Sequence, residues 1–155
     1  MVNTVRNFFK KYVVSSPEDR DNVSEHSLQI ATAALLVEMM RADSEIKDDE
    51  RKAVTKKLQS SFGLSEEEIN AIIKFAEEEV RKATGYYEFT SLINKGLSQE
   101  QKVRIIEHLW EIAFSDSSVD KHEEHMVRKI ASLIHVSHKD FIDAKLRVRK
   151  RILGD

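Results

Sequence analysis

Apolar residues recur at intervals of three and four along most of the chain, which is the period of an α-helix with one buried face. From Ser24 onward, Leu28, Ala31, Leu35 and Met39 follow this spacing and predict a long helix that ends near residues 42–43. Only four Gly and one Pro are available to interrupt helices, and no convincing strand pattern is found. The pattern therefore predicts an all-α fold.

Helix boundaries are marked by Gly residues and by capping residues. Gly63 can end one helix in a left-handed conformation, and Ser65 followed by Glu68 has the spacing of a capping box at the start of the next. Ser137 and Asp140 predict a similar start near the end of the chain. The eight predicted helices span approximately 3–13, 24–42, 47–62, 65–84, 87–95, 98–114, 121–134 and 137–151.

The chain is predicted to begin with a short appendage to its main domain. Residues 1–22 read as an N-terminal amphipathic helix, carrying Val5, Phe8, Phe9 and Tyr12, followed by the polar linker SSPEDRDN. Residues 23–155 then form the helical domain. At 155 residues, a single domain with one core is the expected organisation.

The main domain contains an internal repeat with an offset of 73 residues, and after a one-residue slip FGLSEEEI aligns with IHVSHKDF at an offset of 72. Residues 35–50 read LLVEMMRADSEIKDDE, and residues 108–123 read HLWEIAFSDSSVDKHE. The first half covers about 23–85 and the second about 97–151. Because neither half can bury its apolar faces alone, we expect a compact bundle of about seven to eight helices in which the halves pack about an approximate two-fold axis. The identical pairs are Leu36/Leu109, Glu38/Glu111, Asp43/Asp116, Ser44/Ser117 and Glu50/Glu123.

Each copy of the repeat holds Asp, a small residue, any residue, an aliphatic residue and, after three more, Glu. This pattern resembles the signature of the TerB-like family, which is associated with tellurite resistance. The stretches FGLSEEE, YYEFTSLIN and EEHMVRKIASLIHVSHKDFIDAKLRVR are also similar to a cytoplasmic bacterial branch of that family. The resemblance implies a helical bundle and a role in stress resistance, with no established catalytic reaction. The family usually has Gly after each Asp, where this chain has Ser44 and Ser117.

The resemblance also implies divalent-metal binding by the acidic motif, which corresponds here to Asp43, Glu50, Asp116 and Glu123. Clustered carboxylates suit Ca²⁺, Mg²⁺ or Mn²⁺ better than Zn²⁺. A second interpretation stays open, because the same acids can act as helix caps. Asp120 followed by Glu123 has the spacing of a capping box, whereas the equivalent Lys47 is a poor cap.

Composition removes several classes of function. The chain has no Cys, which excludes thiol nucleophiles, disulfides and thiolate metal sites. His122 and His125 are three residues apart, not the four of a zinc-protease helix, and are expected to be surface residues. No catalytic residue is assigned. The formal charge of -2 gives no global attraction for nucleic acid.

The sequence thus predicts a cytoplasmic, non-enzymatic binding module of the stress response that holds a divalent metal ion in its acidic turns. The alternative is a structural domain without metal that contacts another protein or a membrane surface. An unidentified protein partner is expected, and the basic last helix together with the N-terminal helix leaves association with a membrane surface open. A metal-dependent hydrolase is a third hypothesis, but no nucleophile or substrate pocket can be named for it.

Overall fold

The computed structural model describes residues 4–42, 47–80, 85–115 and 121–154. In these ranges the chain forms eight α-helices and one short 3-10 helix at Pro17–Asn22, with no strand. The predicted all-α fold is confirmed. The helices are α1 (Thr4–Tyr12), α2 (Glu25–Ala42), α3 (Asp48–Phe62), α4 (Glu66–Val80), α5 (Gly85–Gly96), α6 (Gln99–Ala113), α7 (Lys121–Leu133) and α8 (His138–Leu153).

The capping residues act largely as their spacing predicts. Gly63 ends α3 in the left-handed region, with φ 63° and ψ 35°. Ser65 Oγ accepts from the Glu68 N–H, and the Glu68 carboxylate accepts from the Ser65 N–H, which completes the capping box of α4. Ser137 accepts from the Asp140 N–H at the start of α8. Lys47, before α3, makes no side-chain capping bond.

The two halves are arranged alike. In the first half α2 packs against α4, and in the second half α6 packs against α8. The halves meet mainly where α2 contacts α6, while α3 contacts α6 and α7 contacts α2. These reciprocal contacts are those expected if the halves are related by an approximate two-fold axis, as the internal repeat predicts.

The N-terminal helix α1 is integrated into the core. Its side chains Val5, Phe8 and Phe9 are buried, and the helix packs against α2, α4 and α5. Phe8 stacks on Phe75 of α4 with a centroid distance of 4.7 Å. At the end of α5, Gly96 allows the Phe9 ring to approach so closely that an added Cβ would lie 2.8 Å from it. The apolar face of α1 is therefore covered by the domain itself.

The polar linker after α1 is also attached to the domain. Arg20 donates to the carbonyl oxygen of Leu97 at 3.1 Å, and its own carbonyl oxygen accepts from Gln101 Nε2 at 2.7 Å. Both partners lie at the junction of α5 and α6, so this junction holds the linker in place. Among the described helices, none has the length and apolarity needed to cross a bilayer.

Candidate functional site

A groove of about 800 Å³ lies between the two halves. Helices α2 and α3 of the first half form one side, and α6 and α7 of the second half form the other. Its walls are mainly apolar, while carboxylate and ammonium groups lie at its margins. The lining residues include Leu36, Met40, Glu50, Lys57, Leu109, Glu123 and Met126.

Pairs of repeat-equivalent residues line this groove. Five pairs separated by 73 positions contribute both of their members. Because the members of each pair come from different halves, the same segment of the repeat lines both sides of the groove. The pairs are Leu36/Leu109, Met40/Ala113, Glu50/Glu123, Ala53/Met126 and Val54/Val127.

The two acidic residues of these pairs occupy the first turns of their helices. Glu50 lies in the first turn of α3, and Glu123 lies in the first turn of α7. Glu50 is exposed, whereas Glu123 is only partly accessible. Acidic side chains in a first turn interact favourably with the positive end of the helix dipole. Local helix electrostatics and the repeat together explain why both carboxylates line one groove.

One basic residue in the groove breaks the symmetry. Lys57 Nζ lies 3.6 Å from Glu123 Oε2, so this ion pair joins α3 of one half to α7 of the other. The repeat-equivalent of Lys57 is Ile130, which is fully buried. Sequence reasoning did not single out Lys57. The available signal was its alignment, because a lysine replaces an apolar residue at this position of the repeat.

Of the four predicted metal ligands, Glu50 and Glu123 are brought to the same groove. Asp43 and Asp116, like Ser44 and Ser117 beside them, lie outside the described residues, as does Asp120 with its predicted cap. Within the described ranges, no group of three or more His, Asp or Glu side chains is placed to hold a metal ion. The two glutamates offer the oxygen donors that hard cations prefer, and so supply half of the predicted ligand set.

His26 forms an ion pair or hydrogen bond with a residue of another helix. His26 Nε2 lies 2.9 Å from Glu68 Oε2, and this pair joins α2 to α4. Burial alone would raise the pKa of Glu68, but the hydrogen bond from the Ser65 N–H and the contact with the His26 ring hold it below its ordinary value. His125 is exposed, as expected, whereas the side chain of His122 lies outside the described part of the chain.

His108 belongs to an ionic cluster that sequence reasoning did not find. The ring is almost fully buried and meets Phe62 edge to face, with centroids 5.4 Å apart. Its Nε2 lies 2.6 Å from Glu25 Oε1, and its Nδ1 lies 3.3 Å from Glu111 Oε2. A doubly protonated ring can donate to both carboxylates, which joins the start of α2 to α6.

Arginines complete this cluster. Arg104 contacts Glu25 and Glu111, and Arg151 of α8 donates to Glu111 Oε1 at 2.6 Å. Burial alone would raise the pKa of Glu111, but the hydrogen bond from His108 and the neighbouring positive charges hold it below its ordinary value. The cluster stabilises contacts among α2, α6 and α8, and none of these residues lines the groove.

The comparisons with known proteins agree with this architecture. A family model described as tellurite resistance protein TerB matches residues 29–146, which is about three quarters of the chain. No significant match was found among curated proteins, and none among solved structures. The matched segment runs from α2 into α8 and covers most of both halves of the repeat. The chain therefore belongs to the TerB family, which is associated with tellurite resistance.

Proposed function

We propose that the protein is a non-enzymatic binding module of bacterial stress resistance that acts in the cytoplasm and binds a divalent cation at the edge of the groove. One observation supports the proposal above all. Glu50 and Glu123, which occupy equivalent positions of two halves, line the same groove. Lys57 offsets part of the charge of Glu123, and a bound cation would remove the repulsion that remains between the two carboxylates.

Asp43 and Asp116 complete the proposed ligand set. Asp43 follows directly after α2, and Asp116 follows shortly after α6, the helices that meet between the halves. Four carboxylates with water would form an oxygen-rich site suited to Ca²⁺, Mg²⁺ or Mn²⁺. Zn²⁺ is a poorer fit, because it favours sulfur and nitrogen ligands and the chain has no Cys. A cation held this way takes ligands from both halves and so stabilises their contact.

Thermal unfolding of chelator-treated protein tests the proposal. Melting is followed by circular dichroism with and without Ca²⁺, Mg²⁺, Mn²⁺ and Zn²⁺, for the wild type and for the double variants Asp43→Asn/Asp116→Asn and Glu50→Gln/Glu123→Gln. The matched control is Asp49→Asn, which removes an exposed carboxylate beside Glu50 that does not line the groove. Ligand at 100 times its Kd should raise the free energy of unfolding by about 2.7 kcal/mol.

The expected result is a rise with Ca²⁺, Mg²⁺ or Mn²⁺ that persists in Asp49→Asn and is lost in both double variants. If the rise is lost only in Asp43→Asn/Asp116→Asn, then Glu50 and Glu123 are not ligands of the cation. No rise with any ion would contradict metal binding and favour the interpretation of the acids as helix caps. Comparing each variant with and without ion separates binding from the small effect of a charge change at a helix N-terminus.

A second candidate function is a protein-interaction domain without metal. It is favoured by the apolar walls of the groove, which include Met40 and Met126. Methionine side chains adapt to different apolar surfaces, and grooves of this kind bind the apolar face of a partner helix. Placing a photo-crosslinking amino acid at Ala53, with Glu67 as the exposed control position, tests it in cells. A partner captured only from position 53, in the metal-free variant as well, would support this candidate.

A further inference from the structure

The last helix presents an apolar surface to solvent. Phe141, Ala144 and Val148 of α8 are buried, and the helical period places Leu146 and Leu153 on the opposite side. Leu146 is 53% exposed, Leu153 37% and the nearby Ile152 42%, and these are the large exposed hydrophobic residues of the described chain. All three belong to one helix. We call the exposed set Lys139, Leu146, Arg149, Lys150 and Leu153 the outer face of α8.

This helix is also a positively charged region of an acidic protein. It contains six Lys and Arg residues but only Asp140 and Asp143, a formal charge of +4 within a chain of -2. The rest of the chain therefore carries -6. At the sides of the helix, Arg147 and Arg151 pair with Glu107 and Glu111 of α6. Arg149 and Lys150 are exposed and lie next to the leucines.

We propose that the outer face of α8 docks on an anionic phospholipid bilayer. The helix would lie parallel to the surface, with Leu146 and Leu153 inserted at the boundary between headgroups and acyl chains. Arg149 and Lys150 would meet the negative headgroups, and their long side chains can reach them while the leucines insert. Lys139, which pairs with Asp143 at 2.7 Å, would lie beside them. A juxtaposed set of leucines and cations on one helix face is the composition that interfacial binding requires.

The shape and chemistry of this surface favour a bilayer over other anionic partners. The exposed leucines and cations lie on one side of a single helix, so they can contact a flat fluid surface together. Aromatic residues that could stack on nucleic-acid bases do not occur after Phe141. The amphipathic helix α1 is a weaker candidate, because its apolar side chains are buried against α4 and α5. Neither leucine lines the groove, so the inference is independent of the proposed function.

Sedimentation with vesicles tests the docking. Full-length protein is mixed with vesicles of phosphatidylglycerol and phosphatidylcholine, or of phosphatidylcholine alone, and the bound fraction is measured. Leu146→Gln/Leu153→Gln removes the apolar contacts, and Arg149→Gln/Lys150→Gln removes two charges. Lys10→Gln/Lys11→Gln on α1 makes the same change of charge at exposed positions elsewhere. Because all these residues are exposed, circular dichroism should show unchanged folding.

We expect binding to the anionic vesicles alone, and weaker binding at higher salt concentration. The leucine variant should bind about tenfold more weakly, since apolar area no longer enters the bilayer. Each charge removed from α8 should weaken binding about fivefold, and the α1 control should bind like the wild type. Absence of binding to anionic vesicles would overturn the inference. So would equal loss in the α1 control, or a dimer in solution that the leucine variant abolishes without any vesicle binding.

Discussion

The two halves use opposite chemistry at equivalent positions of the same helix pair. Where α2 packs on α4, the first half has Ala31, Ala34, Leu35 and Phe75, all buried. Where α6 packs on α8, the equivalent residues are charged or titratable. They are Arg104, Glu107 and His108 at the offset of 73 residues, and Arg147 at the offset of 72 that follows the slip. Alanines and a phenylalanine in one copy thus correspond to an ionic cluster in the other.

The N-terminal helix explains this difference. In the first half, α1 covers the helix pair, and its Phe8 stacks on Phe75. The equivalent Arg147 in the second half is 52% exposed and pairs with Glu107. A covered face needs apolar contact, whereas an uncovered face must stay compatible with water and can use ion pairs. Duplicated helices therefore keep their arrangement while the covering segment determines which residues each copy can hold.

Alanine substitution at the equivalent positions 75 and 147 should show the largest difference in stability between the two halves. Phe75→Ala removes a buried ring that contacts Phe8 and Phe89, so we expect the free energy of unfolding to fall by about 3–5 kcal/mol. Arg147→Ala removes an exposed ion pair and should cost about 0.2–1 kcal/mol. Urea unfolding followed by circular dichroism measures both. Similar losses at the two positions would contradict the account of covered and uncovered halves.

The close packing of α1 on α5 provides the next test. Gly96→Ala places a methyl group within 2.8 Å of the Phe9 ring, and that ring is held in the core. Overpacking of this kind should lower the free energy of unfolding by about 1–3 kcal/mol, despite the better helix propensity of Ala. The double variant Gly96→Ala/Phe9→Leu relieves the contact and should recover part of the loss. An Ala variant as stable as the wild type would show that α1 is loosely attached.

The ionic cluster of the second half predicts how stability depends on pH. The folded-state pKa of Glu111 is lowered, so its contribution is complete above the unfolded pKa of about 4.3 and is lost as pH falls through the folded value. When the pH falls from neutral to below about 4.3, the free energy of unfolding of Glu111→Gln should therefore decrease less than that of the wild type. Urea unfolding at several pH values measures this. Glu67→Gln, which removes an exposed carboxylate outside the cluster, is the matched control.

Lys57 provides a further comparison between the halves, because at the offset of 73 residues it aligns with Ile130. Lys57→Ile removes the ammonium group that lies 3.6 Å from Glu123 Oε2. If Glu123 binds a cation, the loss of this competing charge should raise Mn²⁺ affinity about fivefold. Isothermal titration calorimetry gives the Kd. Unchanged affinity would place the cation away from Glu123. Lys52→Ile, which removes an exposed lysine of α3 outside the groove, serves as the control for loss of a nearby charge.

Much of the fold was predictable because its signals are local. Gly63, the Ser65 and Glu68 capping box and the apolar period each act within a few residues, so helix boundaries follow from the sequence. The repeat added the pairing of halves, and both Glu50 and Glu123 line the groove between them. These predictions depended on spacing alone.

Other features depend on contacts between distant segments. The burial of α1 required knowing that Phe8 meets Phe75, and nothing in the spacing of the amphipathic helix indicates which surface covers it. The partners of His108 come from α2 and α6 together. Lys57 could have been noticed by its alignment with Ile130, but its contact with Glu123 depends on how the halves pack.

Paramagnetic line broadening by Mn²⁺ tests directly whether a divalent cation binds at the groove between the duplicated halves. In ¹⁵N-labelled protein, amide signals broaden with proximity to the ion. If the cation binds there, the amide signals around Glu50 and Glu123 should broaden together at low Mn²⁺ concentration, while those of α8 remain sharp. Broadening confined to one half, or to acidic residues away from the groove such as Glu67, would contradict it.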